Sequence, residues 1–279
     1  MNFFKVFTTR LLFVFILRFL IYGMSLIPFC YVSVSYESTI NKILLLIVTL
    51  LLAPILIIFL TGLTYYLTPK VVPGAYKIFS TPFIKWLLKD LIANIVTTSK
   101  FLNDIANRVD FIKIIYYRLL GVTNIKTMII ASDVLIMDPN KFTFGKNIFI
   151  GTSTLISGHF IKNRKLVLTM GEFGDNVQIG ACCKIAQGVK IGKNSIIGFG
   201  VNIGVDCIIG ENVIIHDATS LDEYSVIGDN TVVGKKCLIG RKTHIGKKCR
   251  VGHYSSVGSK LNIGEHADIP ELSTIKTDM

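Results

Sequence analysis

Every sixth residue from Phe173 to Ile275 is apolar: Phe173, Ile179, Ile185, Ile191, and so on by sixes through Ile263, Ile269 and Ile275. In a chain that is 51% hydrophobic, an unbroken series of this length arises by chance roughly once in 10⁵, so the period is structural. The next residue is Gly in most repeats, as in Gly180, Gly192, Gly204, Gly228 and Gly240. Three positions further on, the residue is small or β-branched: Val177, Cys183, Ser195, Thr219, Cys237, Ser255. Leu261 is the one large exception.

A period of six is a poor fit to the 3.6 of an α-helix. It suits a short strand with one residue facing inward, then a tight turn at a crowded glycine. Three such sides close a coil of about 18 residues. One coil cannot bury its apolar face, but a stack can, and each coil's backbone groups pair with the next. The expected fold class is therefore mainly β, a parallel β-helix over residues 125–279. Cys183, Cys207, Cys237 and Cys249 occupy the small inner slot and read as packing residues. Cys182 faces outward, and no C-x-x-C pair supports a zinc or redox site.

The pattern [LIV]-G-x-x-[STAV]-x resembles the bacterial hexapeptide-repeat acyltransferases. That resemblance implies a left-handed coil, acyl-CoA as co-substrate with no permanently bound cofactor, and a homotrimer with active sites between subunits. It is specific for fold and much less so for reaction. A second stretch, "LLGVTNIKTMIIASDVLIMDPNKFTFGKNIFIGTSTLISGHF", is similar to the entry coils of membrane-associated acetyltransferases related to the terminal domain of some non-ribosomal peptide synthetases. Asp138-Pro139 and His159 fall on that pattern's Asp-Pro and His. Phe173 departs from it, because Ile or Val is usual there.

The first half of the chain is different. Residues 1–124 carry 12 Lys/Arg against 4 Asp/Glu, so +8 of the net charge of +12 lies there. Residues 43–67 contain no charge and are long enough to span a bilayer. A second span is expected at 11–34, with Arg18 snorkelling from it. A cleaved signal peptide is the competing reading of 1–34. The long apolar stretch, the internal Arg18 and the lack of an A-x-A site favour retention. Basic residues flank both outer ends, so both termini and the β-helix are expected in the cytosol of an integral membrane protein. Phe83, Trp86, Leu87, Leu91 and Ile95 recur at helical spacing, with Lys85 and Lys89 off that face. This predicts an interfacial or capping helix. The expected domains are a two-helix transmembrane hairpin (1–72), interfacial or capping helices (73–124) and the β-helix (125–279). Basic charge beside apolar runs points to membrane lipid and not to nucleic acid.

The repeat slips once. Phe144, Ile150 and Ile156 keep a six-residue step, but Ile156 to Phe173 is 17 residues, one short of a multiple of six. A loop at 157–165 is expected to project there, carrying His159. A neutral imidazole there suits general-base chemistry on an attacking hydroxyl or amine. Asp138 or Glu172 is the candidate to orient it, and backbone N–H groups near Gly158 or Gly180 are candidates to hold the oxyanion. His216 is the second candidate base. His244, His253 and His266 lack the spacing of a β-helix zinc site, so no metal is expected. Residues 230–264 contain no acid. Within them Lys235, Arg241, Lys242 and Lys248 are candidates for the phosphates of coenzyme A, which the resemblance places near the later coils.

The functional expectation is a membrane-anchored acyltransferase moving an acetyl group from acetyl-CoA to a sugar or lipid-linked sugar. The alternative is a non-catalytic β-helix scaffold at the membrane. No α/β nucleotide domain precedes the coils, which disfavours a nucleotidyltransferase.

Overall fold

The structure, a computed structural model, describes residues 16, 19–27, 30 and 38–278. Two compact units emerge. One comprises Met1–Lys70 with Ile84–Leu120, and the other Val71–Phe83 with Gly121–Met279. The segment expected at 73–124 is thus divided between them.

The first unit is helical. Helix α1 (Thr39–Leu67) has 29 residues and a mean hydropathy of 3.3, long and apolar enough to cross a membrane. Pro54 lies inside it. Residues 19–27 are helical too, but most of the span expected at 11–34 lies outside the described residues. Helices α2 (Thr81–Thr97), α3 (Lys100–Arg108) and α4 (Asp110–Leu119) follow. Trp86, Leu91 and Ile95 are buried, as their spacing predicts. Lys89 is not off that face. It is buried, it donates to the Tyr65 carbonyl at 2.9 Å, and its ammonium lies 3.9 Å from the Tyr65 ring centroid. That carbonyl, in the last turn of α1, also accepts from the Thr68 N–H and hydroxyl, and the cation complements the helix dipole. Gly62 gives α4 room, since a Cβ there would lie 3.0 Å from a Leu119 methyl.

The second unit is a left-handed parallel β-helix with three faces. The first face has eight strands, from β2 (Ile129–Ile130) through β5 (Phe149–Ile150) to Asp268–Ile269. The second has eight, starting with β3 (Leu135–Met137) and β6 (Leu155–Ser157). The third has seven, starting with β4 (Phe142–Phe144) and β9 (Gly171–Phe173). Register is strict: Ile179, Ile197, Ile215 and Val233 stack at successive levels of one face. Backbone bonds link each coil to the next, for example Gly192 N–H to Ile209 O at 2.8 Å and Ile196 N–H to Val213 O at 2.8 Å.

The inner slot explains its own residue preference. Ser195 and Thr231 donate at 2.8 Å to the carbonyls of Gly210 and Gly246, each fifteen residues on. Cys183 and Cys249 place Sγ 3.0 Å from the matching carbonyls of Gly198 and Gly264. A small side chain fits the corner and tethers it to the next coil. Glycine follows most inward residues because corners stack closely: a Cβ on Gly192 would lie 2.5 Å from the Gly210 carbonyl carbon. The left-handed backbone falls two residues later, on Asn194, Asn212 and Asn230 among others. Asn tolerates that conformation. Its side chain adds a ladder up one edge, Asn147–Asn176–Asn194–Asn212–Asn230, with steps of 3.0–3.3 Å.

Phe173, the departure from the repeat, has a packing reason. It stacks on Phe144 at 5.2 Å between centroids and meets Phe142 at 5.6 Å, so three rings fill the prism near its start. Ile209 is 2% exposed in the centre of the stack. Replacing Ile209 by Ala is expected to cost about 3 kcal/mol through the cavity left behind, measured as a lower midpoint in chemical denaturation.

Candidate active site

Three edges join the three faces, and their residues have different chemistry. The first edge, between first and second faces, carries Gly180, His216, Lys235 and His253. The second edge, between second and third faces, carries Asp138, His159, Gln187, Asp206, Glu223, Tyr224, Arg241, Lys242 and Lys260. The third edge carries the asparagine ladder and Lys248.

The slip in the repeat is on the second edge. The segment expected as a loop is a β-hairpin. Strand β7 (His159–Lys162) pairs antiparallel with β8 (Lys165–Leu168) across the two-residue turn Asn163-Arg164, both left-handed. Positive φ at both central residues is what a tight hairpin of matching twist requires. The path from Ile156 to Phe173 takes 17 residues where an ordinary side takes 6, so 17 − 6 = 11 residues are added. A third strand, β1 (Gly74–Lys77), extends the hairpin antiparallel to β8. Sequence reading placed residues 74–77 in the helical segment. Four residues give no periodicity by which to recognise a strand whose partner is 90 residues away.

His159 opens β7, at the root of the hairpin and not at its tip. Its Nδ1 is in short contact with Asp138 Oδ2. The pair is largely buried, with side chains 15% and 6% exposed. Asp138 is in the left-handed region (φ 53°) just before the Pro139–Lys141 turn, which swings its carboxylate toward the next coil. Gly158 makes this approach possible. A Cβ on it would lie 2.7 Å from the Asp138 Cβ and 3.1 Å from the Met137 carbonyl oxygen. Lys141 is buried alongside and donates to the Val71 carbonyl. Burial pulls its pKa down, and the Asp138 charge opposes this.

Of the two carboxylates expected near His159, the structure brings Asp138. Glu172 is exposed in β9 on the third face, in register between Thr143 and Lys190. His216 is on another edge, with its ring edge-on to His253 at 5.9 Å. Gly180 shares that other edge, so Gly158 is the glycine beside His159. The basic candidates are dispersed. Lys235 is 3.8 Å from Asp217 on the first edge, and Lys248 is on the third. Arg241 and Lys242 remain on the edge of His159, flanking the Tyr224 ring at 5.7 and 5.9 Å. Arg241 also lies 3.4 Å from Glu223. Four strand steps separate β6 from Leu238–Ile239 on the second face. At about 4.8 Å each, that is roughly 19 Å along one edge from His159 to Arg241.

Two further features frame the site. Gln187, one coil beyond His159, is fully buried, and its amide has no hydrogen-bond partner. Asp206, the next residue along the edge, has its pKa raised by burial and by Glu223, against an opposing pull from Lys190. In the helical unit, an apolar cavity of about 450 Å³ is lined by Leu45, Leu52, Leu56, Phe111 and Ile115. Its polar lining residues are Ser25, Thr49 and Tyr116, with no carboxylate, histidine or cysteine. Among the described residues no group of three or more His, Cys, Asp or Glu is placed to hold a metal.

Residues 175–274 match the sequence profile of the GMPPB C-terminal domain, 100 of the 279 residues. No curated protein matches the chain in sequence. Solved structures similar to it include LpxA from Acinetobacter baumannii, at 16% identity and TM-score 0.39, over 51% of this chain and 65% of that one. The acetyltransferase domain of PglB from Neisseria gonorrhoeae has 15% identity and TM-score 0.34, over 61% and 62%. A GDP-perosamine N-acetyltransferase from Caulobacter crescentus, solved with CoA and GDP-perosamine, has 14% identity and TM-score 0.30, over 59% and 59%. The chain therefore spans between 59% and 65% of the length of these structures.

The raised pKa of Asp206 sets a pH dependence. A carboxyl whose folded pKa exceeds its ordinary 3.8 costs stability as pH rises through that interval, and the cost persists at neutral pH. Asn keeps the left-handed backbone of residue 206 and removes the charge. Asp206→Asn is expected to melt at a higher temperature than the parent at pH 7 and at the same temperature at pH 3, followed by circular dichroism.

Proposed function

We propose that the chain is a membrane-anchored acyltransferase that moves an acetyl group from acetyl-CoA to a sugar or lipid-linked sugar. The observation that carries this reading is the buried His159–Asp138 pair at the root of the hairpin. An ionised carboxylate only accepts hydrogen bonds, so Asp138 holds the proton on Nδ1 and leaves Nε2 as the basic nitrogen. Nε2 takes the proton of an acceptor hydroxyl or amine as its oxygen or nitrogen attacks the thioester carbonyl. The coenzyme A thiolate then leaves and takes up a proton. Asp138 stabilises the imidazolium that forms in between. The backbone N–H of Gly158 is committed to the Met137 carbonyl at 3.1 Å, so that amide is not the oxyanion donor.

Coenzyme A is an extended molecule with its phosphates at one end and its thiol at the other. An edge with His159 at one end and Arg241, Lys242 and Lys260 further along matches that polarity. In this reading Arg241 and Lys242 bind phosphate, and Lys235 and Lys248 do not. The homotrimer implied by the family resemblance and the cytosolic placement of the β-helix belong to the same proposal. Helix α1 supports the anchor by its length and composition.

Two measurements test it. His159→Ala is expected to abolish acetyl transfer to amino- and hydroxy-sugar acceptors, at least 10²-fold in kcat, while coenzyme A binding by calorimetry stays within about twofold. Binding without any transfer in the parent chain supports the scaffold instead. Replacing Arg241 and Lys242 by Ala is expected to raise KM for acetyl-CoA about tenfold or more, with kcat little changed. An equal effect from Lys235→Ala contradicts the assignment of the phosphate site to the second edge.

A further inference from the structure

The three-stranded sheet β1–β8–β7 sets like charges directly opposite one another. Lys77 stands directly opposite Lys165, and Lys165 directly opposite Lys162. Residues directly opposite in antiparallel strands project from the same face, with Cβ atoms about 5 Å apart. Three ammonium groups therefore form a row across the sheet, with Arg164 in the adjoining turn. All four residues are exposed, and among the described residues none of them makes an ion pair. Like charges directly opposite are destabilising. Elsewhere on the β-helix some basic residues pair with an acid of a neighbouring coil, as Lys247 does with Asp229 at 2.9 Å and Lys193 with Glu211 at 3.2 Å. The lysine row has no such acid.

Strand alternation identifies what shares that face. Two residues along each strand from the lysines come Ala75, Val167 and Phe160, again directly opposite one another. The intervening row is Tyr76, Leu166 and Ile161: Leu166 is fully buried and faces the unit's interior, while Ile161, on the edge strand, is exposed. The outward face is thus a row of cations backed by an apolar row. Six residues, 68–73, connect the apolar helix α1 to β1 in sequence, a reach of roughly 20 Å at most.

We propose that this face of the sheet docks on the anionic headgroups of the membrane that α1 enters. The lysines take the lipid phosphates as their missing counter-charge, and Phe160 and Val167 rest on the acyl boundary. The inference rests on the reading of α1 as a membrane anchor. It deepens the functional proposal, because His159 opens the same strand that carries Phe160 and Lys162. His159 projects from the opposite face, one residue before Phe160, so docking holds the root of the hairpin near the lipid and leaves the imidazole facing away from it.

The test uses the full chain in nanodiscs, with amine-reactive labelling read lysine by lysine by mass spectrometry. Lys184, exposed on the second face of the β-helix, is the internal reference. With phosphatidylglycerol in the disc, labelling of Lys77, Lys162 and Lys165 is expected to fall several-fold relative to phosphatidylcholine alone, and high salt is expected to restore it. Lys165→Gln removes the middle charge and relieves the repulsion, so the variant folds. In it, protection of Lys77 and Lys162 is expected to weaken. Equal labelling in both discs, with the chain retained, overturns the docking face and leaves the anchor standing. Protection by inorganic phosphate in phosphatidylcholine discs overturns it too, because the row is then a soluble-anion site. A chain that leaves the disc overturns both readings.

Discussion

Everything in the second unit depends on backbone groups of one coil being satisfied by the next. The strands are two or three residues long, too short to be stable alone. Each N–H and C=O along a face finds its partner in the neighbouring coil, and the inner Ser, Thr and Cys side chains repeat the bond at the corners. This regularity makes the edges straight and evenly stepped. Residues far apart in sequence therefore line up on one edge. Asp138, His159 and Arg241 belong to one line because of it.

The hairpin is the one large exception to that regularity, and the proposed base lies at its root. Eleven added residues leave the coil after Ser157 and return before Gly171 without disturbing the register on either side. The rigid stack on both sides holds the root of the excursion still. His159 and Asp138 meet there, largely buried, with Gly158 supplying the space. A base held in one orientation by a carboxylate and a packed scaffold is preorganised for proton transfer.

The electrostatic pattern divides the surface into regions that need nothing further and one that does. Along the coils, Lys235, Arg241, Lys247 and Arg250 of the basic stretch at 230–264 lie 2.8–3.8 Å from acids of other coils. The lysine row on the three-stranded sheet has no compensation of that kind. Charge composition alone does not reveal the row, since Lys77 lies 85 residues before Lys162 in sequence.

The six-residue period by itself determined the parallel β-helix, its inward residues and its small inner slot, because a repeat of that length has few ways to bury its apolar face. The broken step between Ile156 and Phe173 also marked the place of the hairpin. The sequence alone left open whether Asp138 or Glu172 faces His159, which cations share its edge, and that Lys89 is buried against Tyr65. It also did not reveal that residues 74–77 join the hairpin. These are questions of which face or edge a residue occupies relative to partners tens of residues away. A one-dimensional pattern records spacing but not the long-range pairing of strands, and only the assembled coils resolve that.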